Sequence, residues 1–466
     1  MIDRIEWSRN VYSDELPSPF IRGKGERPLR ITLHSDSLAK LSGKEMSAVE
    51  VLREFNHIPE VQVLETCPGD YPHIELGDID PKENAIPVQI VSGEQLLKLP
   101  AIPNARKLPS FAAYLVGQSN PDHQDARAML DDLKIARAHC SAGGDILVTS
   151  SPLLLKHRNK KGLREANPRA SLEAAQIVGL FLRSRNNYTY EAWPKSRYSF
   201  ERGLFYWVLV HHHLPNMMPY LKACRVAGSE KGNDLPSLGE SIALRCVRAL
   251  EARDAIGIQF YLPQNYDTWD QIMYHFDYLA LVLAGAIDAQ AGVANIAYQI
   301  GSKGASISFL EQRGGFVKKL KSNGALELHD FVSKQRFKNV VKLLYDLRNT
   351  IHATALKIVW YQEELGPRHS LIKLPANMAK SIWETTELLG GPDRWGLSLK
   401  KPFGIFLEPY SYATTLVEEG FSVINAIAAA TDFKHLLPNT ESFPSLKDTE
   451  PNDSPFRQGE RIALLA

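Results

Sequence analysis

DDLKIARAHCSAGGDILVTSS, at Asp131–Ser151, is the stretch of sequence that decides the fold of this chain. Small and apolar residues recur between Ile135 and Ala138 at the spacing of one helix face. A Gly-Gly pair follows and predicts a tight turn, and the apolar, β-branched run Ile146–Thr149 is typical of a buried strand. The segment therefore predicts a helix, a turn and a strand whose carboxyl end faces the crevice in which α/β proteins place their active sites.

Further strand and helix candidates alternate upstream of this segment. The strand candidates are Leu29–Leu33, Val61–Leu64 and Pro87–Val91; a helix is predicted at about Ser47–Phe55, a short helix around Leu96-Leu97, and either a strand or a helix at Phe111–Val116. Alternation of this kind favours an α/β domain with a mostly parallel sheet, because parallel strands need crossover helices. We place this domain at residues 1–155.

Downstream, the sequence becomes basic and aromatic and then helical. Residues 156–235 are predicted to bridge two domains. Helix candidates follow at Leu238–Ala252, Trp269–Tyr298, Leu328–Gln335, Lys338–Glu363, Asn377–Leu389 and Ser411–Ala430. Since no strand pattern of comparable strength lies between them, we predict an all-α helical bundle at residues 236–436. The Pro-, Ser- and Asp-rich residues 437–466 are predicted to be a flexible tail.

The composition narrows the classes of function. A chain of 466 residues suits two or three domains. Lys and Arg number 54 and Asp and Glu 53; this net charge of +1 argues against a protein that coats nucleic acid by bulk charge but allows a local basic groove. Four cysteines without a CxxC pair predict neither a structural zinc site nor a disulfide framework. The N-terminus has no apolar segment, and the longest apolar run is about half the ~20 residues that a membrane span needs, which predicts a cytoplasmic protein without membrane contact.

Acidic residues occur at three points of the first domain. Asp36 follows the first predicted strand, Glu54 lies on the next helix one turn after Glu50, and Asp131 begins the helix before the last strand. Asp132 is the neighbour that could replace Asp131. Carboxylate oxygens are the ligands that Mg²⁺ prefers, and such ions activate water and stabilise charge during phosphodiester hydrolysis.

This pattern resembles a PIN-domain nuclease, most specifically over Asp131–Ser151. The resemblance implies that Asp36, Glu54 and Asp131 are catalytic residues that hold Mg²⁺ or Mn²⁺. The family's fourth acidic position falls on Ser150 or Ser151, so the resemblance implies a degenerate site. The alternative reading is structural, with Asp36 and Asp131 capping local elements and Glu54 lying on a solvated helix face.

A second constellation lies in the predicted helical domain, within YDLRNTIHATAL. Arg348 and His352 are four residues apart and therefore share a helix face. An arginine can hold a phosphate and a histidine can move a proton near neutral pH, which suits metal-independent RNA cleavage. The alternative is that Arg348 and Asn349 bond to carbonyls or to an acid such as Asp288 inside the bundle.

Together with the long apolar helix YHFDYLALVLAGAIDAQAGVA, this step resembles a HEPN domain. The resemblance implies that Arg348 and His352 are catalytic, that Asn349 contacts the substrate, and that the helical domain forms a homodimer. The family places a longer spacer between its Arg and His than the three residues found here, so this site is also degenerate.

A basic run after the last predicted strand adds candidate phosphate contacts at Lys160, Lys161 and Arg164. The double resemblance implies an RNA-directed nuclease or RNA-binding protein, in a toxin or phage-defence setting. Two alternatives remain open. One is a non-catalytic binding or scaffold protein with degenerate nuclease-like domains, and the other is an enzyme that acts on a small molecule in the α/β crevice.

Overall fold

The segment that decides the fold forms a helix, a turn and a strand, as predicted. In the computed structural model the helix is Gln124–Ser141 and the strand is Ile146–Val148. The helix begins about two turns before Asp131, so this carboxylate lies within the helix and not at its start. In the turn, Gly143 has a φ of 66°, a backbone conformation that favours glycine.

The structure describes residues 18–20, 27–66, 87–90, 96–98, 108–118, 120, 123–160, 162–193, 195–310, 315–353, 356–362, 368–434, 436 and 459–466. The strands of the N-terminal sheet are β1 (Leu29–Leu33), β2 (Val61–Thr66), β3 (Pro87–Ile90), β4 (Leu96–Lys98), β5 (Ile146–Val148) and β6 (Pro168–Arg169). Their order is β4-β3-β2-β1-β5-β6. Strands β2, β1, β5 and β6 are parallel, whereas β3 and β4 pair in antiparallel fashion. The predicted mostly parallel sheet is therefore confirmed.

Two details of the first domain differ from prediction. Residues 96–98 form a strand and not a short helix, because they pair with β3. The sheet also extends past residue 155, since Pro168 and Arg169 supply its last strand.

Helices cover both faces of this sheet. They are α1 (Ser35–Leu38), α2 (Gly43–Glu54), α3 (Leu108–Leu115), α4 (Gln124–Ser141), α5 (Pro152–His157) and α6 (Ser171–Ser184). Strand β5 shows the layering, because Ile146 and Val148 pack into the core that contains α2 and α6, while Leu147 packs into the core of α3 and α4. Alternate side chains of a strand point to opposite faces, and a strand covered on both sides is apolar throughout.

The path of the chain reverses between β1 and β5. From β1 it moves through α2 to β2 on one side, and it returns through α3 and α4 to β5 on the other side of β1. At such a reversal the loops after the two strands diverge, which opens a crevice at their carboxyl ends.

The rest of the chain is mostly helical, as predicted. Its elements are β7 (Thr189–Trp193), β8 (Ser196–Ser199), α7 (Arg202–His213), α8 (Met217–Lys231), α9 (Leu235–Tyr261), α10 (Tyr266–Ala297), α11 (Phe316–Ser322), α12 (Leu326–Val332), α13 (Gln335–Ala353), β9 (Lys357–Gln362), β10 (Arg368–Lys373), α14 (Ala376–Leu388), β11 (Leu397–Lys400), β12 (Gly404–Leu407), α15 (Pro409–Ala430) and α16 (Gly459–Leu464). Helices α9 and α10 pack along each other, and α15 packs against both.

The prediction of an all-α domain is wrong for one part of this region. Strands β9 to β12 form an antiparallel sheet in the order β11-β12-β10-β9. The predicted helix Lys338–Glu363 ends at Ala353, and Lys357–Gln362 (KIVWYQ) becomes a strand because its β-branched and aromatic residues pair with β10.

The prediction of a flexible tail is wrong for residues 459–466. Helix α16 packs against α2, α6 and α7, and Ile462 and Leu465 are buried. Residues 437–458, which the same prediction covers, lie outside the described residues.

One described helix, α10, is long and apolar enough to cross a membrane by length and composition alone. In its most apolar stretch, 67% is buried inside the protein. A buried core helix of this length meets the same criteria, so the helix is weak evidence for a membrane span.

Candidate functional site

A network of hydroxyl groups joins the ends of β1 and β5 at the crevice. Its centre is the buried Thr149, whose Oγ1 lies 3.1 Å from His34 Nδ1 and 3.1 Å from Ser37 Oγ. The backbone N–H of Ser151 donates to the same oxygen at 3.0 Å. The contacts to His34 and Ser37 hold the loop after β1 against the loop after β5, and the contact from Ser151 lies within the loop after β5.

A second set of contacts closes the network. Ser37 Oγ donates to the His34 carbonyl at 2.9 Å, and the Ser150 N–H donates to Ser37 Oγ at 3.1 Å. Ser150 Oγ in turn donates to the Ser37 carbonyl at 2.5 Å. The two loops are therefore joined at the floor of the crevice, where the hydroxyls of Thr149 and Ser37 are each held from more than one side.

A count of the hydroxyl protons in this network indicates which ring nitrogen of His34 carries the hydrogen. The only hydroxyl proton of Ser37 goes to a carbonyl, so the contact between Ser37 and Thr149 needs the Thr149 proton. Thr149 then has no proton left for His34, whose Nδ1 must carry the hydrogen. This leaves Nε2 of His34 as a hydrogen-bond acceptor. Burial lowers the pKa of His34, although the charge of Asp36 acts against this shift, so the ring is neutral at pH 7.

The end of β2 joins the same edge. The Ser35 N–H donates to Thr66 Oγ1 at 3.0 Å, and Ser35 Oγ donates to Glu65 Oε1 at 3.0 Å. Arg53 forms an ion pair with this carboxylate at 2.5 Å. Glu65 therefore already has its partners and does not extend into the crevice as a free anion.

Asp132 is the acidic residue that contacts the network, through a hydrogen bond from the Ser151 hydroxyl. Burial raises the pKa of Asp132 to about 6; the Ser151 hydrogen bond acts against this shift, and the nearby charge of Asp131 adds to it. The carboxyl group of Asp132 is therefore poised to gain or lose a proton close to neutral pH.

Replacing Asp132 by Asn is expected to raise stability at pH 8 by about 3 kcal/mol and to have little effect at pH 4. When folding raises the pKa of an acid, ionisation of that acid destabilises the fold. This penalty grows as the pH rises from the pKa of the unfolded state, about 3.9, to the pKa of the folded state. Above pH 6 the whole penalty is present, and the amide removes it.

Urea unfolding at the two pH values measures this difference. Asp131→Asn is the matched control, because Asp131 is exposed and its removal should change stability by less than about 1 kcal/mol at either pH. A gain for Asp132→Asn that did not depend on pH would contradict the raised pKa.

The three predicted metal ligands are placed apart from one another. Asp36 is exposed and follows β1, whereas Asp131 is exposed and pairs with Lys134 at 2.8 Å. Glu54 ends α2 and pairs with Arg461 of α16. Because α2 joins two parallel strands, it runs antiparallel to them, and its last residue lies at their amino ends.

The structure therefore does not bring Asp36, Glu54 and Asp131 together as one set of ligands for Mg²⁺ or Mn²⁺. Across the residues that the structure describes, no three His, Cys, Asp or Glu side chains are grouped closely enough to hold a metal ion. Asp132 replaces Asp131 as the carboxylate that faces the strand ends, which was the alternative on sequence grounds.

The predicted phosphate contacts are only partly accessible. Lys160 is exposed, but its Nζ donates to the Leu115 carbonyl at 2.7 Å. Arg164 is buried and lies 3.9 Å from Glu165. Lys161 lies outside the described residues. Lys156 on α5, the helix that begins directly after Ser151, is exposed.

Arg348 adopts the structural alternative that the sequence left open. Its NH1 pairs with Asp288 at 3.1 Å, and its guanidinium lies 5.7 Å from the centroid of the Tyr345 ring. The Tyr345 hydroxyl also donates to Asp288. Asn349 is exposed, and His352 lies on the same helix, but its side chain is outside the described part of the chain.

Sequence reasoning did not single out His34, Ser37 and Thr149, the residues at the centre of the network. A signal was present, since HSDS and TSS directly follow two predicted strands.

No protein-family model matches the chain, and no curated protein or solved structure is significantly similar to it. The resemblances to PIN and HEPN domains therefore stay predictions.

Proposed function

We propose that the protein binds RNA at the crevice between β1 and β5, and that it does so without a metal ion held by Asp36, Glu54 and Asp131. The observation that carries this proposal is the network of His34, Ser37, Thr149 and Ser150 at the strand ends. Because the hydroxyl protons of Ser37, Thr149 and Ser150 are used within the network, what the network offers a ligand is hydrogen-bond acceptors, which suits the ribose hydroxyls of RNA.

The neighbourhood of the crevice supports an anionic ligand. Burial lowers the pKa of His157 on α5, and the positive charges of Lys160 and Lys156 lower it further. The two lysine charges, and not the burial, contribute a positive local potential, which attracts phosphate groups. The acceptor at His34 Nε2 complements it, because a ribose 2′-hydroxyl can donate there.

The competing proposal is a non-catalytic scaffold. It is supported by Arg348, which the HEPN resemblance implies is catalytic and which is held by Asp288 and Tyr345. A homodimer through the helical region remains part of that proposal and is tested by measuring the mass of the protein in solution.

Labelled single-stranded RNA, incubated with the full chain in Mn²⁺ or in EDTA, tests the proposed function. We expect binding without cleavage in both conditions. Lys156→Glu should weaken binding about tenfold, because a cation beside the phosphates becomes an anion. The matched control is Lys434→Glu. Lys434 is exposed and follows α15, and its replacement should leave the affinity unchanged.

Other results would redirect the proposal. Cleavage that needs Mn²⁺ and is lost in Asp131→Asn would support the metal-dependent nuclease. Cleavage that survives EDTA but is lost in His352→Ala would place the chemistry in the helical region. An absence of RNA binding at low salt would favour the scaffold.

A further inference from the structure

The sheet of strands β9 to β12 has two unlike faces. Ile358, Ile372 and Leu407 are neighbours in register, and all three are buried in the helical core. Since side chains alternate along a strand, the residues between them point to the opposite face. That opposite face includes Lys357 and Lys373.

These two lysines lie directly opposite each other in the antiparallel ladder, and both are exposed. Like charges in directly opposed positions destabilise a sheet. Within the described part of the chain, neither lysine has a carboxylate at ion-pair distance, and the four strands contain no Asp or Glu. The sheet therefore carries an uncompensated positive charge at this point.

The hairpin between β11 and β12 extends the same surface. The Cα of Gly404 approaches Lys373, because a Cβ added there would lie 3.9 Å from Lys373 Cε. Beside Gly404, the Phe403 side chain is 59% exposed, and Lys401 is exposed as well. Phe403 and Lys401 therefore bring an exposed aromatic ring and a cation to the hairpin beside Lys373.

We propose that this lysine face, formed by Lys357, Lys373, Lys401 and Phe403, binds single-stranded RNA. The charges favour a polyanion, because Lys357 and Lys373 lie opposite each other, Lys401 is on the hairpin whose Gly404 approaches Lys373, and the strands supply no anion. The exposed ring favours a nucleic acid over an acidic peptide, since every base offers a face that can stack on an aromatic side chain. This surface is separate from the crevice in the N-terminal sheet, and each can bind without the other.

Fluorescence anisotropy of a labelled oligouridylate with the full chain, at several salt concentrations, tests the proposal. Lys357→Glu combined with Lys373→Glu should lower the affinity by at least tenfold. It should also reduce the slope of log affinity against log salt by about 1.4, since each contact to a single-stranded phosphate contributes about 0.7. Phe403→Ala should lower the affinity about tenfold and leave the slope unchanged, because stacking does not release counterions.

The controls separate binding from folding and from the crevice. Lys380→Glu changes an exposed lysine on α14 and should keep the affinity within twofold. Lys357→Gln with Lys373→Gln relieves the like-charge pair, so it should fold at least as stably as the wild type while it still binds more weakly. The lysine-face variants are also measured in the Lys156→Glu background, where the crevice binds weakly, so failure of one surface is distinguishable from failure of the other.

Three results would overturn the proposal. The first is an unchanged affinity in both lysine double variants. The second is an affinity that Phe403→Ala does not alter. The third is competition by polyglutamate at the same charge concentration as RNA, which would identify an acidic protein as the partner.

Discussion

Replacing Asp254 by Asn is expected to lower the free energy of unfolding by about 3–5 kcal/mol, the largest effect of any single change considered for this protein. Asp254 on α9 is 1% exposed and is the only acidic partner that the described structure gives to two buried arginines. Arg183 of α6 approaches it at 2.6 Å and Arg253 at 2.8 Å. The Tyr206 hydroxyl donates to the same carboxylate at 2.9 Å.

The physical reason is the excess of positive charge. Two guanidinium groups share one carboxylate, so the amide would leave both cations buried without an opposite charge. Burial alone would raise the pKa of Asp254, but Arg183 and Arg253 and the hydrogen bonds from Arg253 and Tyr206 more than offset it, and the pKa is lowered.

The lowered pKa gives this prediction a pH dependence. An acid with a depressed folded pKa stabilises the fold fully above its unfolded value of about 3.9. This contribution to the free energy of unfolding is lost as the pH falls below the unfolded-state pKa and then past the lower pKa that Asp254 has in the folded state. The difference between wild type and Asp254→Asn should therefore be constant from pH 5 to 7 and should shrink at pH 3.

Urea unfolding followed by circular dichroism measures the effect. Glu251→Gln is the matched control on the same helix, because Glu251 pairs at 3.0 Å with Arg202, an arginine that is largely exposed. It should cost less than about 1 kcal/mol. If Asp254→Asn cost no more than Glu251→Gln, the buried cluster would have to be open to water.

The second large effect is expected for Gly179→Ala, which should release residues 459–466 and cost on the order of 3 kcal/mol. A Cβ at Gly179 would collide with the carbonyl oxygen of Leu465, a backbone atom that cannot rotate away. The same carbonyl accepts a hydrogen bond from Arg183 at 2.6 Å. Its displacement would also expose Ile462, which is buried beside it.

Hydrogen exchange and limited proteolysis detect this release directly, since an undocked segment exchanges and is cleaved faster. Gly203→Ala on α7 is the control, because nothing lies within 4 Å of the added Cβ. Alanine favours a helix over glycine, so this variant should be at least as stable as the wild type. Protection of residues 459–466 that persisted in Gly179→Ala would show that the segment can shift without undocking.

Sequence reasoning succeeded where the signal was local. Asp131–Ser151 contains a helical period, a glycine turn and a β-branched run, and each became the expected element. The prediction failed at β9. Residues 354–356, between the helix and the strand, contain no Gly or Pro that would mark the end of the helix, so KIVWYQ was predicted as its continuation. Only its pairing with β10, a contact beyond the local sequence, makes it a strand.

The candidate site was harder to predict because it depends on placement in three dimensions. Glu54 was grouped with Asp36, yet the two ends of a helix between parallel strands lie at opposite edges of the sheet. The partner of Glu54 is Arg461, more than four hundred residues away in sequence. Asp132 and Asp131 are adjacent, and only the direction of each side chain decides which of them meets Ser151.

The docking of α16 has a consequence for how this protein can evolve. Helix α16 touches α2 and α6 beside the N-terminal sheet and also α7 of the helical region, and Arg461 ties it to Glu54. The hydrophobic core is correspondingly continuous between the two regions. A recombination event that transferred only one half to another gene would expose this apolar seam. We therefore expect neither half to be stable when it is separated from the other.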